Sequence, residues 1–335
     1  MTVKVTKPAI NVREELADLR KPTGLAGEAM LRAETPQEQF NLIGAGRRNL
    51  IINGGFDVWQ RGTSSTKSSN TYGNFTADRW STYFAGSYSK QATKLPNGDY
   101  ANYLRGVLGT TNSNRLNLNT FIENGNSLFS GKYVTCSLWI KGSVSDASVN
   151  IKFLTVNGSD FSSYATVAAT TIITGTEWKK HEVTLQCSDD TANLGARPHV
   201  VLEIDGTDAT WPNGSTFEIA QVQLELGKVA TPFEHRSYGE ELALCQRYYE
   251  REKIEIWAQM RGGGYTDAYN SFQYKTPKRT FPTVSLLGSV NRDNSTTPYG
   301  ISYVGKGGAS CRATIGNTGY PYCAWELDYE ADCEL

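Results

Sequence analysis

The amino-acid sequence predicts a mainly β chain, and three observations carry that prediction. After residue 47, short runs alternate between apolar and polar side chains, which is the pattern of strands with one buried face. The chain contains 32 glycines together with abundant Ser, Thr and Asn, a composition typical of many turns. Asn-Gly pairs, which favour tight hairpin turns, occur at Asn53-Gly54, Asn97-Gly98, Asn157-Gly158 and Asn213-Gly214.

The chain divides into three predicted parts. A length of 335 residues suits two domains and a tail. We predict a short helical arm over residues 1–46, a β-sandwich over 47–236, and a connector helix with a second small β domain over 237–335.

The arm carries two helix-start patterns. Asn11 and Glu14 form a capping box before VREELADLR, and Thr35 and Glu38 form another before QEQFNLI. Helices this short are marginal in water, so they are expected to dock on a partner; a disordered leader is the alternative. The apolar side chains that would make this contact are Val12, Leu16, Leu19, Phe40, Leu42 and Ile43.

The central part is predicted to be a jelly-roll sandwich. Its two ends, RRNLIINGGFDVWQR (47–61) and FEIAQVQLELGKVATPFE (217–234), are both predicted strands that would lie side by side. Between them lie short alternating runs separated by turns, the pattern of a two-sheet sandwich. The further predicted strands are KYVTCSLWIK, SVNIKFLTV, ATTIIT, KKHEVTLQC and PHVVLEID.

The last part opens with a predicted connector helix. GEELALCQRYYERE places Leu242, Cys245, Tyr248 and Tyr249 at helical spacing. The strand-like runs that follow are KIEIWAQM, NSFQYKT, TVSLLGSV, GISYVGK, ASCRATI and CAWELDYEA. A domain this small is often stabilised by self-association.

Charge and hydropathy disfavour several classes of function. The chain has 33 basic and 34 acidic residues, and so lacks the positive charge of a nucleic-acid-binding protein. No run is apolar enough to insert into a membrane. The N-terminus MTVKVTKPAINVREE lacks the features of a secretory signal, so we expect a protein made in the cytoplasm and not exported by that route.

The residues that could perform catalysis or bind a metal are sparse. Three histidines and no CxxC pair disfavour zinc, and no cofactor is predicted. The acidic residues Glu203, Asp205 and Glu218 read as ordinary charges at strand ends, so an enzyme is not predicted. A disulfide within the group Cys311, Cys323 and Cys333 remains open, while Cys136 and Cys187 read as buried thiols.

Sugar binding is the predicted activity for exposed aromatic rings. Sugars stack their CH faces on such rings, so aromatic residues in loop-like contexts are the candidates. They are Tyr72, Trp80, Tyr83, Trp211, Tyr265 and Tyr269. The alternative is packing: Trp59, Trp80, Trp139 and Trp178 also fit a core or sheet-packing role, and tyrosines are frequent in subunit interfaces.

Several segments resemble the fibre-type virion proteins of bacteriophages. GLAGEAMLRAETPQEQFNLIGAGRRNL, followed by LIINGGFDVWQRG and TADRW, is similar to the start of such proteins. QVQLELGKVATPFEHRS and ELALCQRYYER resemble the end of their jelly-roll module, and KTPKRTFPTV resembles their C-terminal knobs. The resemblance implies an arm that docks on the virion, a carbohydrate-binding-like jelly roll, and a trimeric C-terminal tip.

The expected function follows from this resemblance. It implies a fibre or spike protein of the virion, bound to other virion proteins through residues 1–46 and to host-surface polysaccharide for adsorption. A capsid or tail decoration protein without receptor binding is the alternative, and a depolymerase is disfavoured. Similar jelly rolls hold calcium with aspartates in the last strand. Here Ala220 and Gln221 replace that pair, so no metal is predicted.

Overall fold

A computed structural model describes most of the chain after the predicted arm. The described residues are 48–68, 74–83, 85–109, 116–123, 129–157, 163–187, 199–206, 211–259, 266–291, 299–315 and 322–334. The arm over residues 1–46 lies outside these ranges. The described chain is mainly β, as predicted.

The first half is an antiparallel β-sandwich. Its strands are β1 (Ser64–Lys67), β2 (Asn74–Phe75), β3 (Trp80–Thr82), β4 (Gly86–Lys94), β5 (Tyr100–Leu108), β6 (Leu116–Glu123), β7 (Tyr133–Gly142), β8 (Ser148–Asn157), β9 (Ser163–Ile173), β10 (Lys179–Gln186), β11 (His199–Gly206) and β12 (Thr216–Leu226). Sheet A has the order β1-β4-β5-β12-β7-β10, and sheet B has the order β2-β3-β6-β11-β8-β9. From β5 to β12, consecutive strands alternate between the sheets except at β8–β9, which is the jelly-roll arrangement.

The apolar face of each sheet forms the sandwich core. On β7, Val134, Cys136, Leu138 and Ile140 alternate toward that core and are fully buried. They belong to one cluster with Phe153 and similar side chains of sheet B. The other face of β7 therefore points away from the core, which decides where Trp139 lies.

The segment that begins the sandwich is a turn rather than the predicted strand. Asn53 and Phe56 adopt positive φ angles of 59° and 55°, which interrupt an extended backbone. The Asn53 side chain stabilises this turn by accepting hydrogen bonds from the backbone of Asp57 and Val58. The segment still lies beside β12, because the backbone N–H of Leu50 donates to Leu224 O at 2.9 Å.

The connector helix is shorter than predicted. Helix α1 covers Tyr238–Gln246, and the Ser237 side chain caps it by accepting from Glu240 N at 3.3 Å. The predicted helical residue Tyr249 instead begins a strand, opposite Asp332. Pairing along the whole of β13 outweighs the helical spacing of Tyr249, because tyrosine is a good strand former.

Two small antiparallel sheets form the second half. Their strands are β13 (Tyr249–Gln259), β14 (Thr266–Gln273), β15 (Thr283–Asn291), β16 (Tyr299–Val304), β17 (Gly308–Ile315) and β18 (Tyr322–Asp332). Sheet C has the order β13-β18-β15 and sheet D has the order β14-β17-β16. Aromatic packing between the two sheets includes Phe272 and Tyr329, whose ring centroids are 4.4 Å apart.

Buried charged residues connect the second half to α1. The ammonium of Lys278 is fully buried and lies 2.8 Å from Glu250 Oε2. It also donates to the carbonyl of Gln246 at the end of α1. Tyr329 donates to the other Glu250 oxygen, so both charges are hydrogen-bonded inside the domain.

The C-terminal segment contacts the sandwich through a group that we call the C-terminal clamp: Arg61, Arg79, Asp332 and Glu334. Arg79 and Glu334 form an ion pair whose side chains are 2% and 1% exposed. Arg61 lies 2.9 Å from Asp332 and 3.3 Å from Glu334. Its guanidinium also stacks on the ring of Tyr249, 3.4 Å from the centroid. The clamp therefore joins both halves of the chain.

The cysteines with described side chains are buried free thiols. Cys311 and Cys333 donate to the carbonyls of Asn270 and Arg247. Burial raises the pKa of each of these two thiols, with smaller backbone effects in opposition. The sequence left a disulfide between Cys311 and Cys333 undecided, and the structure shows that this bond is not formed.

Candidate functional site

The outer surface of sheet A carries an aromatic cluster, which we call the aromatic face: Tyr103, Trp139 and Trp178. Strand register places Tyr103 of β5 opposite Ala220 of β12, and Ala220 opposite Trp139 of β7. Opposed residues in an antiparallel pair share a face, and the neighbouring residues Leu104, Ile219 and Ile140 belong to the core. The cross-strand row therefore lies on the side of sheet A that faces away from sheet B.

The rings of the aromatic face form a corner. Tyr103 and Trp178 meet edge to face, with centroids 5.3 Å apart and an interplanar angle of 80°. Trp139 lies beneath them at 8% exposure, packed with Ala220 and Leu95. Tyr103 and Trp178 keep part of their surface exposed. Ala220, which pairs with both β5 and β7, is fully buried in this cluster, so the partly exposed rings of Tyr103 and Trp178 form its outer surface.

A charged row lies directly beside the aromatic face. Two residues further along each strand, Arg105 is opposite Glu218, and Glu218 is opposite Lys141. Lys141 Nζ lies 2.7 Å from Glu218 Oε2, and Arg105 Nε lies 3.6 Å from Glu218 Oε1. The Lys141 ammonium also lies 5.3 Å from the Trp178 ring centroid. It therefore contacts both the Glu218 carboxylate and the Trp178 ring.

The electrostatics of Tyr103 reflect this neighbourhood. Burial raises the pKa of the Tyr103 phenol, and the Glu218 carboxylate raises it further, while Lys141 and Arg105 oppose the shift. Tyr103 is therefore a neutral hydroxyl donor at physiological pH. A neutral phenol beside paired charges can bind a hydroxylated ligand by both stacking and hydrogen bonding.

Polar residues limit the aromatic face at the β4–β5 hairpin. The Asp99 carboxylate accepts from Gln221 Nε2 at 3.2 Å, and His235 Nε2 lies 4.0 Å from the same oxygen. Gln221 has a φ of 47°, and the register between β12 and β7 shifts between Ala220 and Gln223. The regular pairing that holds Ala220 opposite Trp139 therefore ends at this point. The face thus has an acidic end at Asp99 and a largely basic end at Arg105.

Two predicted binding residues are core residues instead. Trp80 and Trp211 are both fully buried in the sandwich. Their indole N–H groups donate to Asn53 O at 2.9 Å and to Ser148 O at 3.3 Å. With no exposed ring face, neither can stack on a sugar from solvent.

The other predicted residues are not brought together at this face. Tyr83 follows β3 in sheet B, where its N–H donates to Asn117 O at 3.1 Å, and its side chain is partly exposed. Tyr269 is 64% exposed in β14 of the second half. Lying outside the described residues are Tyr72, Tyr265 and the predicted anchoring residues Val12, Leu16, Leu19, Phe40, Leu42 and Ile43.

The sequence interpretation did not identify the outer face of sheet A as a site. The packing role that it offered for Trp139 agrees with the structure, where the ring is 8% exposed and packs with Ala220 and Leu95. The alternation in SLWIK also indicates that Trp139 faces away from Leu138 and Ile140. Tyr103 had no such signal, because β5 was not predicted as a strand.

Glu203 and His181 are two of the described acidic and histidine side chains that the sequence offers for catalysis or metal binding. Glu203 is paired with Lys152 at 3.2 Å and accepts from Asn117 at 2.8 Å. Burial lowers the pKa of His181, with a further contribution from Lys179. In the part of the chain that the structure describes, no three such residues are grouped to hold a metal ion. Its described helix is also too short to cross a membrane.

Comparison with known proteins gives limited similarity. No family model matches the chain, and no curated protein matches it. Among solved structures, a CBM4 structure shares 18% identity over 53% of this chain and 100% of its own, with a TM-score of 0.33.

Two further solved structures differ in their described activity. A carbohydrate-binding module of the β-sandwich superfamily shares 14% identity over 48% of this chain and 63% of its own, with a TM-score of 0.32. A Stig cyclase from Fischerella sp. TAU shares 14% identity over 55% and 98%, with a TM-score of 0.36. These similar structures thus include both carbohydrate-binding modules and a cyclase.

Proposed function

We propose that this protein binds glycans through the aromatic face of its jelly-roll sandwich. The observation that carries the proposal is the corner of Tyr103 and Trp178 above Trp139, beside the row Arg105–Glu218–Lys141. Aromatic rings stack on the CH faces of sugars, and the adjoining charged and phenolic groups can bond their hydroxyls. Glu218 lies on the outer face of sheet A and Glu203 on the outer face of sheet B, so the two carboxylates do not flank one bond, which favours binding over glycoside hydrolysis.

Two substitutions in the aromatic face, with a tyrosine on the same strand as control, test this proposal. Tyr103→Ala and Trp178→Ala should each weaken polysaccharide binding at least tenfold, about 1.4 kcal/mol, while circular dichroism stays unchanged. Tyr100→Ala is the control, because Tyr100 is 81% exposed on the same strand but alternates to the other side. Binding to an array of bacterial surface polysaccharides is the measurement. Equal binding by all four proteins would contradict the proposal.

We further propose that the protein is a fibre or spike of a bacteriophage particle. The resemblance of residues 24–50 and of the sandwich ends to fibre-type proteins supports this assignment. Residues 1–46 would bind other virion proteins, and a trimer would present three glycan sites on one body. Weak sites then gain apparent affinity through effective concentration without any new contact.

The particle role has its own test. Three chains of 36.9 kDa predict a mass of about 111 kDa by light scattering. Deletion of residues 1–46 should abolish incorporation into particles and leave glycan binding by the free protein intact. Two results together would instead favour the decoration role. The protein would enter particles without binding glycans, and particles that carry Tyr103→Ala or Trp178→Ala would adsorb normally to the host.

A further inference from the structure

We infer that the aromatic face selects acidic glycans, with Arg105 as the residue that binds the carboxylate of a uronic-acid-type sugar. This inference rests on the proposed glycan-binding function and adds the class of ligand.

The position of Arg105 suits a substituent of a stacked sugar. Arg105 is two residues from Tyr103 on β5, so both side chains project from the same face about 6.6 Å apart. One pyranose ring with a carboxylate substituent can bridge that separation. A sugar stacked in the corner would therefore place an acidic group next to the guanidinium.

The guanidinium of Arg105 is held in place and remains accessible. Its Nε lies 3.6 Å from Glu218, and the side chain is 44% exposed. In the described part of the chain, its two terminal NH₂ groups have no hydrogen-bond partner. A guanidinium with both terminal groups available can bind a carboxylate through two parallel hydrogen bonds.

The surrounding charges favour an anion at this end of the face only. Glu218 is shared between Arg105 and Lys141, so this row carries a net positive charge. Lys180 is also near, opposite Trp139, although it pairs with Glu182 at 2.7 Å. At the other end, Asp99 would repel an anion. An acidic sugar is therefore expected to bind in one orientation, with its carboxylate toward Arg105.

Chemically matched polysaccharides test the inference. The probes are uronic-acid-containing bacterial polysaccharides, each in native form and after reduction of its carboxylates to primary alcohols. The full-length protein should bind the native forms at least tenfold more tightly than the reduced forms. Arg105→Gln should remove that preference while still binding the reduced forms. Arg251→Gln is the control, because Arg251 is 43% exposed and pairs with Asp328 in the second half.

The possible results separate the inference from the proposed function. Equal binding of native and reduced forms, lost in Trp178→Ala, would overturn acidic selectivity and leave the glycan site standing. Binding that neither Tyr103→Ala nor Trp178→Ala weakens would reject the proposed site itself. Failure to bind any probe would reject both. A preference that Arg105→Gln and Arg251→Gln reduce equally would assign the effect to overall charge and overturn the role of Arg105.

Discussion

Trp139 and Trp211 have opposite positions relative to the sheets, and only one of these positions can be derived from the sequence. Trp139 lies between core residues of an alternating strand, so it must face outward. Trp211 directly precedes the Asn213-Gly214 turn, a position that suggests exposure, but its ring packs inward against β7. There, a Cβ on Gly142 would lie 2.5 Å from the Trp211 ring. Gly142 makes room for the ring, and that fit exists only in three dimensions.

Asp78 is a buried carboxyl whose surroundings the sequence does not reveal. Burial raises its pKa to about 6, although hydrogen bonds from Gln60 and the charge of Arg61 oppose the shift. The folded protein therefore retains a proton on Asp78 under conditions where the unfolded chain, with a pKa near 3.8, has released it. As a result, the contribution of Asp78 to stability is greatest below the lower pKa and is lost as pH rises through about 6.

Asp78→Asn should remove this pH dependence. Between about pH 4.5 and pH 7, the Asp78 contribution to the free energy of unfolding should fall by about 2 kcal/mol in the natural protein only. The stability difference between the two proteins, measured by urea unfolding across that range, should change accordingly. A difference that stays constant with pH would show that Asp78 is ionised in the folded state.

At the scale of elements, strands with strong alternation were predicted and polar strands were missed. The observed bounds agree with the predicted runs to within one or two residues for β7, β8, β10 and β12. In these strands the apolar residues recur at every second position, and this alternation marks the buried face in the sequence. β4 reads GSYSKQATK, with few apolar residues, and forms because β5 provides a paired edge. Such strands depend on their neighbours, so local pattern does not identify them.

The C-terminal clamp is an element-scale contact with a clear energetic prediction. Glu334→Ala leaves Arg79 buried without its ion-pair partner, which should cost about 3–5 kcal/mol. Asp328→Ala removes an equivalent but solvent-exposed pair with Arg251, and should cost less than about 1 kcal/mol. Chemical unfolding of the two variants measures the contrast. Similar, small losses in both would show that the clamp does not stabilise the fold.

At the scale of the whole molecule, buried and partly buried polar contacts join the two halves of the chain. Gln60 in the sandwich donates to Tyr249 O at 2.8 Å, and Arg247 pairs with Glu123 at 3.2 Å. The Glu241 carboxylate of α1 accepts from Asn53 N. Removing either half would therefore leave buried partners of the other unsatisfied.

We expect the two halves to unfold together. Scanning calorimetry of the full chain should show one transition for residues 47–335, and a protein ending at residue 236 should melt at a lower temperature and associate through its exposed junction. Two separate transitions, with the truncated sandwich as stable as in the full chain, would contradict this expectation. Glycan binding is therefore better tested by single substitutions than by truncation.

The sequence by itself determined the mainly β class, the jelly-roll sandwich and the approximate position of its strongly alternating strands. These properties follow from local periodicity, because burial of one sheet face requires an apolar residue at every second position. Tertiary structure alone decided which aromatic residues form a surface. Tyr103 and Trp139 lie on separate strands, Trp178 directly precedes a third, and the three meet only through the register of β5, β12, β7 and β10. Register across distant strands is a property of the assembled sheet, and no local pattern contains it.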